Sequence, residues 1–178
     1  MYSKQNSNRI PRARITNLVI YALLISLSSV MFVIERYIPY PVPAGKWGFS
    51  NFVVLYTVLN FGLKGGLLVG VLKTIIGSIF TGTIFSPAFF MGFFGILSAI
   101  FIQWLISKLK FFGYSGISII GMISNNTAQV FVGSIIINSN AIFSFLPIMV
   151  GLGLISAIIN ALLAKKMEEI FDGYNLSD

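Results

Sequence analysis

The chain has little with which to do covalent chemistry. Histidine and cysteine are both absent, which removes the usual ligands of structural zinc, haem and iron–sulfur clusters together with every thiol nucleophile and disulfide. Only five carboxylates occur, Glu35, Glu168, Glu169, Asp172 and Asp178, and four of them crowd into the last eleven residues. Paired-carboxylate acid–base work therefore lacks material in the body of the chain. What the remaining residues can do is recognise a molecule. Lys73 stands inside an apolar run, Lys46 and Trp47 open the stretch Lys46-Trp47-Gly48-Phe49-Ser50-Asn51, and Asn125, Asn126 and Gln129 interrupt another apolar run. An ammonium attracts anions, amides both donate and accept hydrogen bonds, and an indole stacks.

Each of these residues has a plain structural reading beside the functional one. An ionisable side chain in a membrane helix is expensive, so Lys73 either snorkels to an interface or meets a helix-end carbonyl, or it lines a cavity and binds an anion. Trp47 suits an aromatic belt as well as a stacking contact, and Gly48 lets backbone approach a ligand near Asn51. Asn125 and Gln129 are spaced i, i+4 and Asn126 and Gln129 i, i+3, which makes one polar stripe on a helix. The stripe serves interhelical hydrogen bonding or a substrate site. Glu35 and Arg36 read as a surface ion pair of little worth. Glu35 can alternatively order Lys46 or Lys73, or meet a substrate amine or hydroxyl.

The elements that must hold these residues are membrane helices. Hydrophobic residues make up 56% of the 178, charged residues only 10%, and mean hydropathy is +0.90, against roughly 45–50% apolar and 25% charged in soluble domains. The net charge of +7 is carried in short segments between apolar runs, which is an orientation pattern and not a nucleic-acid surface. About 20 apolar residues span the hydrocarbon core, and flanking charges, Gly and Pro place six helices at 15–37, 48–63, 65–83, 87–107, 115–137 and 142–164. Lys4, Arg9, Arg12, Arg14, Lys64, Lys108, Lys110, Lys165 and Lys166 then fall on one side, against Arg36 and Lys46 on the other. Nine against two predicts an all-α bundle in the plasma membrane with both termini cytoplasmic. Residues 1–14 form a basic cytoplasmic segment, 15–165 the transmembrane domain and 166–178 a cytoplasmic tail. The loop from Arg36 to Lys46, with Pro39, Pro41 and Pro43, should be a stiff outer cap. Small residues, among them Ala22, Ser26 and Ser29 in the first helix, mark close helix packing, or in the first helix docking to a second membrane protein.

Taken in order, Glu35…Pro39, Gly45-Lys46-Trp47-Gly48-Phe49-Ser50-Asn51, Phe61-Gly62-Leu63-Lys64, Lys73, Gly92…Gly95…Ser98 and Asn125-Asn126-Thr127-Ala128-Gln129 resemble the Gx transporter family. That family also carries the label heptaprenyl diphosphate synthase component I and is similar to the substrate-binding (S) components of energy-coupling factor (ECF) transporters. The likeness runs from about residue 15 to 165. Two departures stand out: Lys46-Trp47-Gly48-Phe49-Ser50-Asn51 replaces Lys-Leu-Gly-Leu-Ala-Asn, and Asn125-Asn126 replaces His-Asn, which removes a titratable group.

The resemblance implies a six-helix bundle that captures a small, anionic, vitamin- or cofactor-like molecule from outside. Delivery would require a membrane coupling subunit and two cytoplasmic ATPases. The chain has no Gly-x-x-x-x-Gly-Lys-Ser/Thr loop, so ATP would be used by those partners, and no cofactor is expected on this chain. The implied binding set is Glu35, Lys46, Trp47, Asn51, Lys73, Asn125, Asn126 and Gln129, with Ala22 and Ser26 docking the partner. The alternative is a membrane accessory to a polyprenyl diphosphate synthase. Such synthases hold magnesium and diphosphate with aspartate-rich motifs, and here no Asp precedes Asp172, so catalysis by this chain alone is not expected.

Overall fold

Local signals start and stop the helices. Ser86 caps the helix that begins at Pro87: its hydroxyl accepts the Phe89 N–H, and proline at the first helical position has no N–H to leave orphaned. A computed structural model describes residues 12–42 and 45–175. Its elements are α1 (Arg12–Arg36), α2 (Asn51–Phe80), α3 (Pro87–Ser107), α4 (Tyr114–Ile136), a short 3-10 helix (Asn140–Phe145) and α5 (Leu146–Asn175). There is no strand among the described residues. Five helices are long and apolar enough to cross a membrane, and the chain is a multi-pass membrane protein. Leu18, Leu23, Val30, Phe94, Phe101, Phe131, Ile155 and Leu162 are exposed on the outside of the bundle, where lipid is their natural solvent.

Against the six helices expected, the difference lies in α2. A continuous helix would hold residues 22 positions apart at about 33 Å along its axis. Yet the Lys73 ammonium donates to both Ser50 Oγ and Asn51 Oδ1. The chain reverses at Gly62, whose φ of 71° and ψ of −167° are open only to glycine. Beyond it the backbone returns along itself, with Gly66 against Val58 and Gly70 against Val54. The expected helices 48–63 and 65–83 are thus two arms, 51–61 and 63–80, of one interrupted element. The first arm is short, at about 16 Å against roughly 30 Å of hydrocarbon.

The core lies where the arms meet their neighbours. Leu24 of α1, Val53, Val54, Leu55, Val58 and Val69 of α2, and Ile96 and Ile100 of α3 are almost fully buried together. Gly66 and Gly70 allow Ile100 to approach the second arm closely.

One end of the bundle gathers the Gly62 reversal, the α3–α4 link and the later turns of α5. Tyr56 stacks on Phe171 there, and Leu59, Lys108, Lys110, Tyr114 and Glu168 line one depression. The opposite end carries the segments after α1, α2 and α4, and Tyr40 and Val42 pack with Val130, Ile142, Leu146 and Met149. The last helix departs from the expected 142–164 at both ends. It starts after the 3-10 helix and continues to Asn175, because Lys165-Lys166-Met167-Glu168-Glu169 are strong helix formers and no glycine follows until Gly173.

Candidate functional site: a buried charge network above a polar cavity

The site begins with the register of α1. Ser28, Phe32 and Glu35 fall on one face at spacings of four and three, and all are buried, Glu35 to 2% exposure. Of the two readings of Glu35, the surface pair with Arg36 gives way to the inward one: helical geometry sends Arg36 outward and Glu35 inward. The Glu35 carboxylate accepts the Ser50 N–H at 3.0 Å and the Ser50 hydroxyl at 3.2 Å. Ser50 Oγ in turn accepts from Lys73 at 3.0 Å, and its carbonyl accepts the Ser28 hydroxyl at 3.1 Å. Ser50 is thus the node through which α1 and the second arm of α2 are joined. A neutral hydroxyl lies between the carboxylate and the ammonium. Lys73 is 2% exposed, so it does not snorkel; the reversal at Gly62 brings Ser50 and Asn51 to it.

Lys46 enters from the connecting segment. Its ammonium sits 3.7 Å from the centroid of the Phe32 ring, a cation–π geometry, and beside Gly92, where an added Cβ would lie 3.6 Å from Nζ. Burial lowers its pKa to about 8, partly opposed by Glu35 and reinforced by Arg36. Trp47 forms a cap: Nε1 donates to the Pro39 carbonyl at 3.0 Å, and the indole stacks on Phe49 and meets Tyr40 edge-on. Gly48, at φ 77°, turns the chain so that its carbonyl accepts from Asn160 of α5 at 3.0 Å.

The amides come from α4. Gly95 of α3 faces Asn125 and Gln129, and Gly153 of α5 faces Met122 and Asn126, so both neighbours approach the polar stripe closely. Asn126 donates to the Met149 carbonyl at 2.9 Å, the interhelical hydrogen bond that is the plain reading of such a residue.

Two adjoining cavities collect the eight candidates. Lys46, Trp47, Asn51, Lys73, Asn125 and Asn126 line the larger, and Glu35, Lys46 and Gln129 the smaller; Lys46, Thr74 and Gly92 belong to both. Ala22 and Ser26 lie elsewhere, exposed on the outer face of α1. The cavity volumes are about 40 and 20 Å³, against roughly 300–1,000 Å³ for sites that hold drug-sized ligands. A molecule of vitamin size would therefore have to displace the cap. Sequence reasoning missed Asn160, Gln103, Ser118 and Ser156, all buried and all lining the larger cavity. Asn160 carried a usable signal: it is the one amide within the apolar run 146–164.

Residues 24–167 match the family described as heptaprenyl diphosphate synthase component I. The chain belongs to this family. The match covers well over half of the chain and takes in every residue of both cavities. No curated protein and no solved structure matches. A component I is named as one part of a synthase, and in this chain the first aspartate is Asp172.

Proposed function

We propose that this component I family member is the membrane-embedded substrate-binding component of an ECF-type uptake transporter. It would take a small anionic, vitamin- or cofactor-like molecule from the outer side. The observation that carries the reading is the Glu35–Ser50–Lys73 network, with Lys46 beside it, at a polar cavity inside an otherwise apolar bundle. Burying ions costs on the order of several kcal/mol each, and a leucine at position 73 would pack more cheaply. Two ammoniums against one carboxylate make sense where an anion completes the site. The direction of approach follows from the charge pattern. Lys64, Lys108, Lys110, Lys165 and Lys166 belong to the end away from the cavity cap, which supports cytoplasmic termini. Counting the two arms of α2 separately yields six passes. No cofactor is assigned to this chain; ATP would be used by two cytoplasmic ATPases through a coupling subunit that docks on the face of Ala22 and Ser26.

The family description favours a second reading, a non-catalytic membrane partner of a soluble heptaprenyl diphosphate synthase subunit. One experiment separates the two. Small molecules released from the detergent-purified protein and from Lys73→Ala are identified by mass spectrometry. The transporter reading expects a discrete anionic compound that is lost in Lys73→Ala. Polyprenyl species retained in both, with an aspartate-rich soluble subunit co-purifying and no dependence on ATPases, would establish the synthase partner. The same anion retained by Lys73→Ala would overturn the role given to Lys73.

A further inference from the structure

The hydrogen-bonding groups left uncommitted around the larger cavity describe the molecule that fits it. Asn160 is 6% exposed. Its Nδ2 donates to the Gly48 carbonyl, which settles which way the amide faces, and its Oδ1 is buried with no partner among the described residues. A buried acceptor left unmatched is costly and uncommon. The nearby hydroxyls do not supply the missing donor: Ser118 donates to the Ala157 carbonyl and Ser156 to the Gly153 carbonyl. On the cationic side, Lys46 makes no hydrogen bond among the described residues, and Lys73 uses two of its three N–H groups, on Ser50 and Asn51. Glu35 has both oxygens engaged by Ser50, so Lys46 and Lys73, with Arg36 lining the smaller cavity, outnumber the one carboxylate.

These needs are close together. The Gly48 carbonyl that holds Asn160 also accepts the Asn51 N–H at 3.1 Å, and Asn51 holds Lys73. Resting on the binding-component reading, we infer that the larger cavity takes a compact anion, a carboxylate or phosphate monoester, that also carries an N–H or O–H group. The anion lies against Lys46 and Lys73, and the donor is read by Asn160 Oδ1. Asn160 is then a specificity-determining residue, because a site built to satisfy a donor rejects analogues that lack one far more strongly than it rejects a change in apolar bulk.

The test uses the full-length protein, immobilised in detergent, exposed to a low-molecular-weight cell extract, with retained compounds identified by mass. Retained compounds should be anions bearing an N–H or O–H. Methylating that one group should weaken binding to the wild-type protein by at least about 10-fold, and Asn160→Ala should abolish the discrimination. Retention of anions without a donor, or equal binding of the methylated form, would overturn the inference and leave the binding-component reading in place. If the wild-type protein retains no compound, that reading falls and the inference with it. Should Asn160→Ala fail to fold, the methylation comparison on the wild-type protein decides alone.

Discussion

Ser50 is the residue on which the buried charges depend, since its N–H, hydroxyl and carbonyl are all engaged, by Glu35, Lys73 and Ser28. Ser50→Ala should lower stability by about 1–3 kcal/mol, because two charged groups lose a shared partner while the backbone contacts stay; thermal unfolding in detergent measures it. Lys46 offers a pH test. Its pKa is depressed to about 8 by burial, with Glu35 and Arg36 the charges acting on it. It is cationic below that value and neutral above it, so affinity for an anion should fall as pH rises through about 8. Lys46→Arg should flatten this profile, since a guanidinium keeps its charge. The unfolded chain binds more protons than the folded one between about 8 and 10.5, so over that range the Lys46 contribution to stability rises with pH. Much of the site was legible because a polar side chain in an apolar run has few places to go except inward. For Glu35 two readings stood side by side, since a carboxylate next to Arg36 suggests a surface pair, and the helical register with Ser28 and Phe32 decides for the inward one. Asn160 was passed over because a lone amide without a charged or polar neighbour looks like an ordinary interhelical contact.

At the level of elements, the sequence was most informative where capping chemistry is explicit. The range 87–107 coincides with α3 because Ser86-Pro87 starts it. The α2 reversal was less legible. Gly62, Gly65 and Gly66 all stand in the same short stretch, and only the contacts of Gly66 with Val58 and Ile100 distinguish a packing glycine from the turning one. The two kinds should respond differently to substitution. Gly62→Ala places a Cβ in a backbone region that L-residues avoid, with nothing near it to clash, so the loss should be about 1–3 kcal/mol of strain. Gly66→Val instead forces Val58 and Ile100 apart, which should cost more and loosen the approach of Lys73 to Ser50. Unfolding midpoints compared with anion binding separate the cases: a similar loss of binding in both variants would show that the arms do not position the site independently of the turn.

For the molecule as a whole, the proposed orientation puts the segment after α2 outside and the α3–α4 link, with Lys108 and Lys110, inside. The chain contains no cysteine, so single cysteines can be introduced without background. A cysteine at Thr83 should react with a membrane-impermeant maleimide in intact cells, and one at Lys110 only after the membrane is opened. Labelling of both from one side would contradict the orientation and with it an even number of passes. The outer face of α1, with Ala22, Ser26, Leu18 and Leu23 exposed, was legible only as a stripe of small and apolar residues. Sequence periodicity cannot tell a lipid-facing stripe from one that docks a protein, since both are apolar.

The burial depth of Lys73 carries an electrical consequence. It lies seven residues before Phe80, the end of the 63–80 arm that faces outward in the proposed orientation, about 10 Å along the helix, or roughly a third of the hydrocarbon thickness. A monoanion that reaches it from outside moves through about that share of the membrane voltage. With the cell interior negative, this opposes binding by about 0.8 kcal/mol per 100 mV. Apparent affinity in sealed vesicles should therefore weaken about fourfold when a 100 mV inside-negative potassium diffusion potential is imposed, and recover when an ionophore collapses it. A voltage-independent affinity would place the bound charge outside the field.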